Sequence, residues 1–152
     1  MKAKHFQFWR KWLTVSNGMI VLFGFIIAVA GDSIFLSMHN HYTRQVFFDG
    51  ADFPPDTLAL KNWLFGIIGA TIMGFHILMI FISENAFRRK EPWAPNAIWT
   101  ALLSWFIVDS VISFYYGAIH NIVLVNLVAL IVIGLPLIMT RKQFKKADST
   151  ND

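Results

Sequence analysis

The side chains best placed to do chemistry in this chain are Asn17, Asp32, His76, Asp109, Ser113, Tyr116, His120, Asn121 and Asn126. All fall within or at the ends of long apolar runs, where a polar group is costly and normally faces a bundle interior or a water-filled cavity. Counted inward from the flanking basic residues and from Ala97, at about 1.5 Å per residue, His76 and Asp109 each lie roughly 18 Å deep, and Asn126 lies roughly 22 Å from Arg141. A histidine, a carboxylate and an amide on three helices are thus expected in one layer. In that layer Asp109 would supply charge or a proton, His76 would partner or relay it, and Asn126 and Tyr116 would hydrogen-bond a ligand.

Periodicity extends the pattern. Trp105, Asp109, Ser113, Tyr116 and His120 recur at helical spacing and form one stripe leading outward. Asp32, His39, His41, His120 and Asn121 would make an outer layer above it. The competing structural reading is that Asp109, hydrogen-bonded to Asn126 or His76, only glues helices together. On that reading His76 is a neutral packing histidine, Gly66, Ala70 and Gly74 are a helix-packing face, and Pro136 produces a kink.

Other chemistries are poorly served. His39-Asn40-His41 offers two imidazoles at a spacing that suits a strand or loop, and a zinc or copper site there would need Asp32 or His120 to converge with it. His76 has no second histidine at its own depth for a b-type haem. The chain has no cysteine, which removes disulfides, thiolate metal sites and cysteine nucleophiles. Phosphate-binding loops, Ser-His-Asp patterns and dinucleotide fingerprints are absent. No cofactor, no metal and no catalytic residue is therefore expected.

The elements that must hold these groups are membrane spans. Of 152 residues, 56% are hydrophobic and only 14% are charged, against about 25% in soluble domains, and the mean hydropathy is +0.53. Spans are predicted over 13–36, 62–83, 97–117 and 122–140, each about the length that crosses a hydrocarbon core of roughly 30 Å. Eleven basic residues (Lys2, Lys4, Arg10, Lys11, Arg88, Arg89, Lys90, Arg141, Lys142, Lys145 and Lys146) sit at one set of span ends, against Arg44 and Lys61 at the other. Both termini should be cytoplasmic, and the net charge of +4 reflects topology, not nucleic acid. Ala28-Val29-Ala30 before Gly31 imitates a signal-peptide cleavage site, but the apolar stretch is too long and Ile34-Phe35-Leu36 follows it. Pro54-Pro55 followed by Asp56 and Thr57 reads as a breaker and then an N-cap pair, so the second helix is expected to start outside the bilayer and enter near Trp63. Trp9, Trp12, Trp63, Trp93 and Trp99 read as interfacial anchors, and residues 147–152 as a disordered tail.

Phe87-Arg88-Arg89-Lys90-Glu91-Pro92-Trp93-Ala94-Pro95-Asn96-Ala97-Ile98, then Trp105 to Ser110, Gly117-Ala118, Asn121 and Asn126, resembles a group of small bacterial four-helix membrane proteins with no assigned activity. The resemblance covers the second helix to the C-terminus and implies a four-helix inner-membrane bundle without transferring a function. Likeness to sterol-isomerase and sigma-2-receptor-like proteins is generic, since their intramembrane glutamates have no counterpart. Glutathione-transferase-like membrane proteins need an arginine-rich face within the helices, whereas here the arginines flank the spans.

The expectation is one domain over residues 1–146: an all-α, integral membrane four-helix bundle of the bacterial inner membrane, with N- and C-termini cytoplasmic. It would bind a small amphiphile or lipid in a polar intramembrane cavity lined by Asp109, His76, Asn126, Ser113, Tyr116, His120 and Asp32. The reading leans against an enzyme. The alternatives are an isomerase-like enzyme using Asp109 and His76 as acid and base, and a homo-oligomer conducting protons or ions. Expected partners are membrane lipids, the amphiphile and further copies of the chain.

Overall fold

A computed structural model describes residues 2–148, with the side chains of residues 3–144. Among the described residues every regular element is helical. Helix α1 spans Lys2–Val29. A 3-10 turn, Ile34–Leu36, leads into α2, Ser37–Phe48. Helix α3, Pro55–Ile82, runs on through a π-helical turn, Ser83–Phe87. Helix α4 spans Trp93–Tyr115. A short turn, Ile119–Asn121, and a second π-helical turn, Ile122–Asn126, precede α5, Leu127–Asp148.

Four helical stretches are long and apolar enough to cross a membrane: Ala3–Val29, Pro55–Phe87, Trp93–Tyr115 and Ile119–Phe144. The first differs from the expected 13–36 at both ends. Its helix begins near the N-terminus and stops at Val29, because Gly31 packs against Asn62 and Phe65 of α3 and the chain turns there. The Gly31 carbonyl then accepts hydrogen bonds from Asn40 Nδ2 (2.9 Å) and Lys61 Nζ (3.3 Å), so this end of the chain turn is capped by side chains. His39-Asn40-His41, expected as loop or strand, lies inside α2 and points its two imidazoles to different faces. Pro55 itself opens α3 as its first residue, where a missing N–H costs nothing. Helix α5 continues through Ala147 and Asp148, and residues 149–152 of the expected tail lie outside the described residues.

Helices α1 and α3 pack antiparallel along their whole length in a constant register. Arg10 meets Glu84, Asn17 meets His76, Gly24 meets Gly69, Ala28 meets Gly66, and Gly31 meets Asn62. Without a hydrophobic force between helices in lipid, close backbone approach provides the packing energy, and Gly69 provides it here. A Cβ at Gly69 would sit 2.4 Å from the Gly24 carbonyl oxygen and 2.6 Å from the Ala28 nitrogen. Of the expected Gly66-Ala70-Gly74 face only Gly66 lies on the seam: Ala70 is exposed, and a Cβ at Gly74 would meet nothing within 4 Å.

Helix α5 packs against both α1 and α4. Leu13, Met79, Ile98, Leu102, Ile133 and Leu137, from all four long helices, are fully buried together. At the end near the N-terminus, Phe6, Phe87 and Phe144 stack with centroids 4.8 to 6.1 Å apart. The Trp99 ring, partly buried, lies against Gly134, where a Cβ would come within 3.0 Å of it.

Pro136 sits inside α5 and cannot donate to the carbonyl of Val132 four residues earlier. The indole Nε1 of Trp12 donates to that carbonyl at 3.1 Å, supplying from α1 the bond that α5 lost. Replacing Trp12 by Phe is expected to cost about 1 kcal/mol. In a Pro136→Ala background the backbone N–H returns, so the cost of Trp12→Phe should vanish. A double-mutant cycle read by thermal unfolding in detergent measures this coupling.

Candidate ligand site

Asp109 lies on α4, two turns before the helix ends. Three donors converge on its Oδ1: Ser113 Oγ at 3.1 Å, Asn121 Nδ2 at 2.7 Å and Asn126 Nδ2 at 2.8 Å. Asn121 also donates to Ser113 Oγ (2.9 Å), and Asn126 to Ser110 Oγ (3.0 Å). Ser113 reaches Asp109 because four residues make about one α-helical turn.

Asn121 and Asn126 need a different explanation. Five residues apart on a regular α-helix, they would diverge by about 140°. The π-helical turn Ile122–Asn126 closes i to i+5, which stacks them on one face and delivers both amides to one carboxylate oxygen. Asn126 is wholly buried, and its Oδ1 has no hydrogen-bond partner although both its N–H groups are used. Asp109 Oδ2 likewise meets no donor among the described residues. Two acceptors on hydrogen-bonded side chains are therefore left without a donor, and the buried one, Asn126 Oδ1, costs on the order of 1–3 kcal/mol.

His76 is brought to a different partner. Its Nδ1 lies 2.6 Å from Asn17 Oδ1, and Asn17 spends its own amide on the Leu13 carbonyl at 2.7 Å. That pairing makes Asn17 Oδ1 the acceptor and puts the imidazole proton on Nδ1. Depth explains the separation of His76 from Asp109. Measured from the Phe87–Trp93 turn, His76 is about 16 Å away and Asp109 about 24 Å, because α4 begins at Trp93 and not at Ala97. The expected single layer is two: Asn17–His76 in the α1–α3 pair, and Asp109–Asn126 in the α4–α5 pair.

His120 stands on the turn beyond α4 and packs beneath α2. Its ring meets His39 edge to face at 5.1 Å and stacks on Tyr42 at 5.6 Å. His39 also abuts Phe65. Burial holds the His39 imidazole below its ordinary value of 6.5, with the nearby His120 and Lys61 charges adding to the effect. The neutral form is thus favoured by folding, and its stabilisation is complete above about pH 6.5 and lost as pH falls through the lower folded value. Thermal unfolding temperature should fall on acidification below pH 6.5, and less steeply in His39→Phe. Tyr116 points outward, 58% exposed, with its ring near Phe47.

Asp32 belongs to a separate cluster at the same end. Lys61 Nζ reaches Asp32 Oδ1 at 2.5 Å and Asn40 Oδ1 at 3.3 Å, Asn62 donates to Asp32 Oδ2 at 2.8 Å, and the ammonium lies 5.1 Å from the centroids of both Phe53 and Phe65. The Lys61 hydrogen bond, against the opposing effect of burial, holds the Asp32 carboxyl below the usual range. At the opposite end, Arg10 pairs with Glu84, whose other oxygen accepts from Thr14 Oγ1 at 2.6 Å. Sequence reasoning treated Arg10 only as a flanking charge and passed over Glu84 altogether.

Among the described residues no three His, Asp or Glu side chains converge so as to hold a metal ion. His41 turns toward Tyr42 and away from the His39–His120 pair.

Four membrane-length apolar helices with polar side chains paired between them define a multi-pass helical membrane protein. Comparison with known protein families, curated proteins and solved structures gives no match for this chain.

Proposed function

We propose that this protein is a four-helix bundle of the bacterial inner membrane, with both termini cytoplasmic, that binds a small amphiphile at Asp109 and Asn126. The observation that carries the reading is the buried, unpartnered Oδ1 of Asn126, on a side chain whose amide is bonded to the Asp109 carboxylate. Two acceptors without donors in an apolar setting select a headgroup that donates, an ammonium or a hydroxyl, and reject one that only accepts. The exposed apolar side chains Val108, Val111 and Ile112 flank Asp109 along α4 and would bed the tail. The orientation rests on the basic residues at the ends of the spans, and the bacterial setting on the resemblance of the second half of the chain.

Native mass spectrometry of the protein in mild detergent, challenged with dodecylamine, dodecanol and dodecanoate, tests the ligand class. The amine and the alcohol should be retained and the carboxylate not. Asp109→Asn preserves shape while removing the charge, and should weaken retention of the amine at least tenfold with a smaller effect on the alcohol. Equal retention of all three, or retention of the amine unchanged in Asp109→Asn, overturns the proposal.

A further inference from the structure

A pocket remote from Asp109 opens at the end of the bundle that carries the basic clusters. It is a cavity of about 640 Å³ between the start of α1, the turn after α3 and the last turns of α5. Lys90, Arg141, Lys142 and His5 line it, Ile138 and Met139 form its apolar wall, and among the described residues no carboxylate contributes. The cations come from separate elements that the fold brings together. Lys90 is held by a tight turn: its φ is +61°, its N–H donates to the Phe87 carbonyl at 2.9 Å, and its ammonium lies 5.1 Å from the Phe6 ring centroid. Phe6 in turn stacks on Phe87 and meets Phe144 at a tilt, so the lysine rests on the packed aromatic end of the bundle.

From this geometry we infer that the cavity binds the phosphate of an anionic phospholipid, with Lys90 and Arg141 as its principal contacts. Three cations gathered at one cavity, with no acid among its described lining residues, favour an anion, and phosphate suits the planar fork of Arg141 together with a lysine. The exposed Ile138 and Met139 on the lipid-facing side of α5 distinguish a lipid from free phosphate, because they offer surface for the first acyl carbons. Basic pockets between transmembrane helices on the cytoplasmic side recognise anionic headgroups in this way. The inference takes the cytoplasmic placement of this end from the proposed topology, and it is independent of the Asp109 site.

The test titrates the full chain in detergent with dioleoyl phosphatidylglycerol and with dioleoyl phosphatidylcholine, counting bound lipid by native mass spectrometry. Phosphatidylglycerol should bind at least tenfold more tightly. Lys90→Gln and Arg141→Gln should each weaken it about fivefold, the effect of one interfacial cation, and Lys90→Arg should restore it. Lys11→Gln removes an exposed charge near the same end but outside the cavity, and should change binding less than twofold. Equal affinity for the two lipids overturns the site, and so does a Lys11→Gln effect as large as that of Lys90→Gln, which would mean diffuse surface charge. Full displacement by millimolar inorganic phosphate overturns the lipid assignment in favour of a free anion. The lipid comparison on the unmodified protein decides the matter even if a variant misfolds. Labelling that put Lys90 on the outer face would overturn the topology while leaving the site standing.

Discussion

Gly69→Ala is expected to destabilise the protein by about 3 kcal/mol, the upper end of the usual cost of overpacking, while Gly74→Ala, little more than one turn along the same helix, is expected to be neutral or slightly stabilising. The added atom is the same in both. At Gly69 it would lie 2.4 Å from the Gly24 carbonyl oxygen, 2.6 Å from the Ala28 nitrogen and 2.8 Å from the Ala28 Cβ. Two of these are backbone atoms, so no rotamer change relieves the contact and α1 must move away from α3. That movement would loosen Asn17 from His76 and Arg10 from Glu84, because all three contacts share one antiparallel register. At Gly74 the methyl meets nothing within 4 Å and brings up to about 1 kcal/mol of helix propensity. Thermal unfolding in one detergent, with the two variants side by side, measures the contrast. Equal melting temperatures for the two would show that α1 and α3 do not pack through Gly69.

The same pair of glycines shows what the sequence could and could not convey. The number of membrane-length helices was legible from hydropathy, and a helix start beside Pro54-Pro55 from proline chemistry, although Pro55 is itself the first helical residue and Asp56, expected at the cap, lies in the first turn. Which stripe of α3 faces α1 was not. A helix apolar on every side has no polar face to orient it, so the spacing of Gly66, Ala70 and Gly74 was visible while their direction was hidden. The pairing of Asp109 with Asn126 and Ser113 was within reach of depth counting and helical spacing, because α4 and α5 are consecutive and antiparallel. The part played by Asn121 was not, since it depends on a π-helical turn with no sequence signature of its own. His76 was matched to Asp109 because depth on α4 was counted from Ala97, whereas the helix begins at Trp93. Once Arg10 is set opposite Glu84, seven residues forward on α1 and eight back on α3 bring Asn17 to His76 directly.

Glu84→Leu is expected to cost about 3 kcal/mol, and the Arg10→Met, Glu84→Leu double variant to recover most of it. The Arg10 side chain is only 11% exposed, and its pairing with Glu84 leaves the second carboxylate oxygen for the Thr14 hydroxyl. Removing the glutamate alone leaves the guanidinium between two helices with only the Gln7 Oε1 acceptor, 3.1 Å from its Nε, and losing the partner of a largely buried charge costs up to several kcal/mol. Removing both charges leaves an apolar contact of similar volume, and although the Glu84 side chain is 36% exposed, replacing an ion pair whose arginine is largely buried is often neutral. The size of the single-variant effect also locates Arg10 relative to the membrane surface. If the arginine had a free path to water or headgroups, its side chain would extend to them when Glu84 is lost, and the cost would fall below about 1 kcal/mol. A cost near 3 kcal/mol, abolished in the double variant, requires instead that Arg10 is held inward by the packing of α1 on α3, at the level the π-helical turn gives to Glu84. The interaction energy from that cycle, measured by unfolding in detergent, therefore tests the register of α1 against α3 at one end as the Gly69 variant tests it at the other.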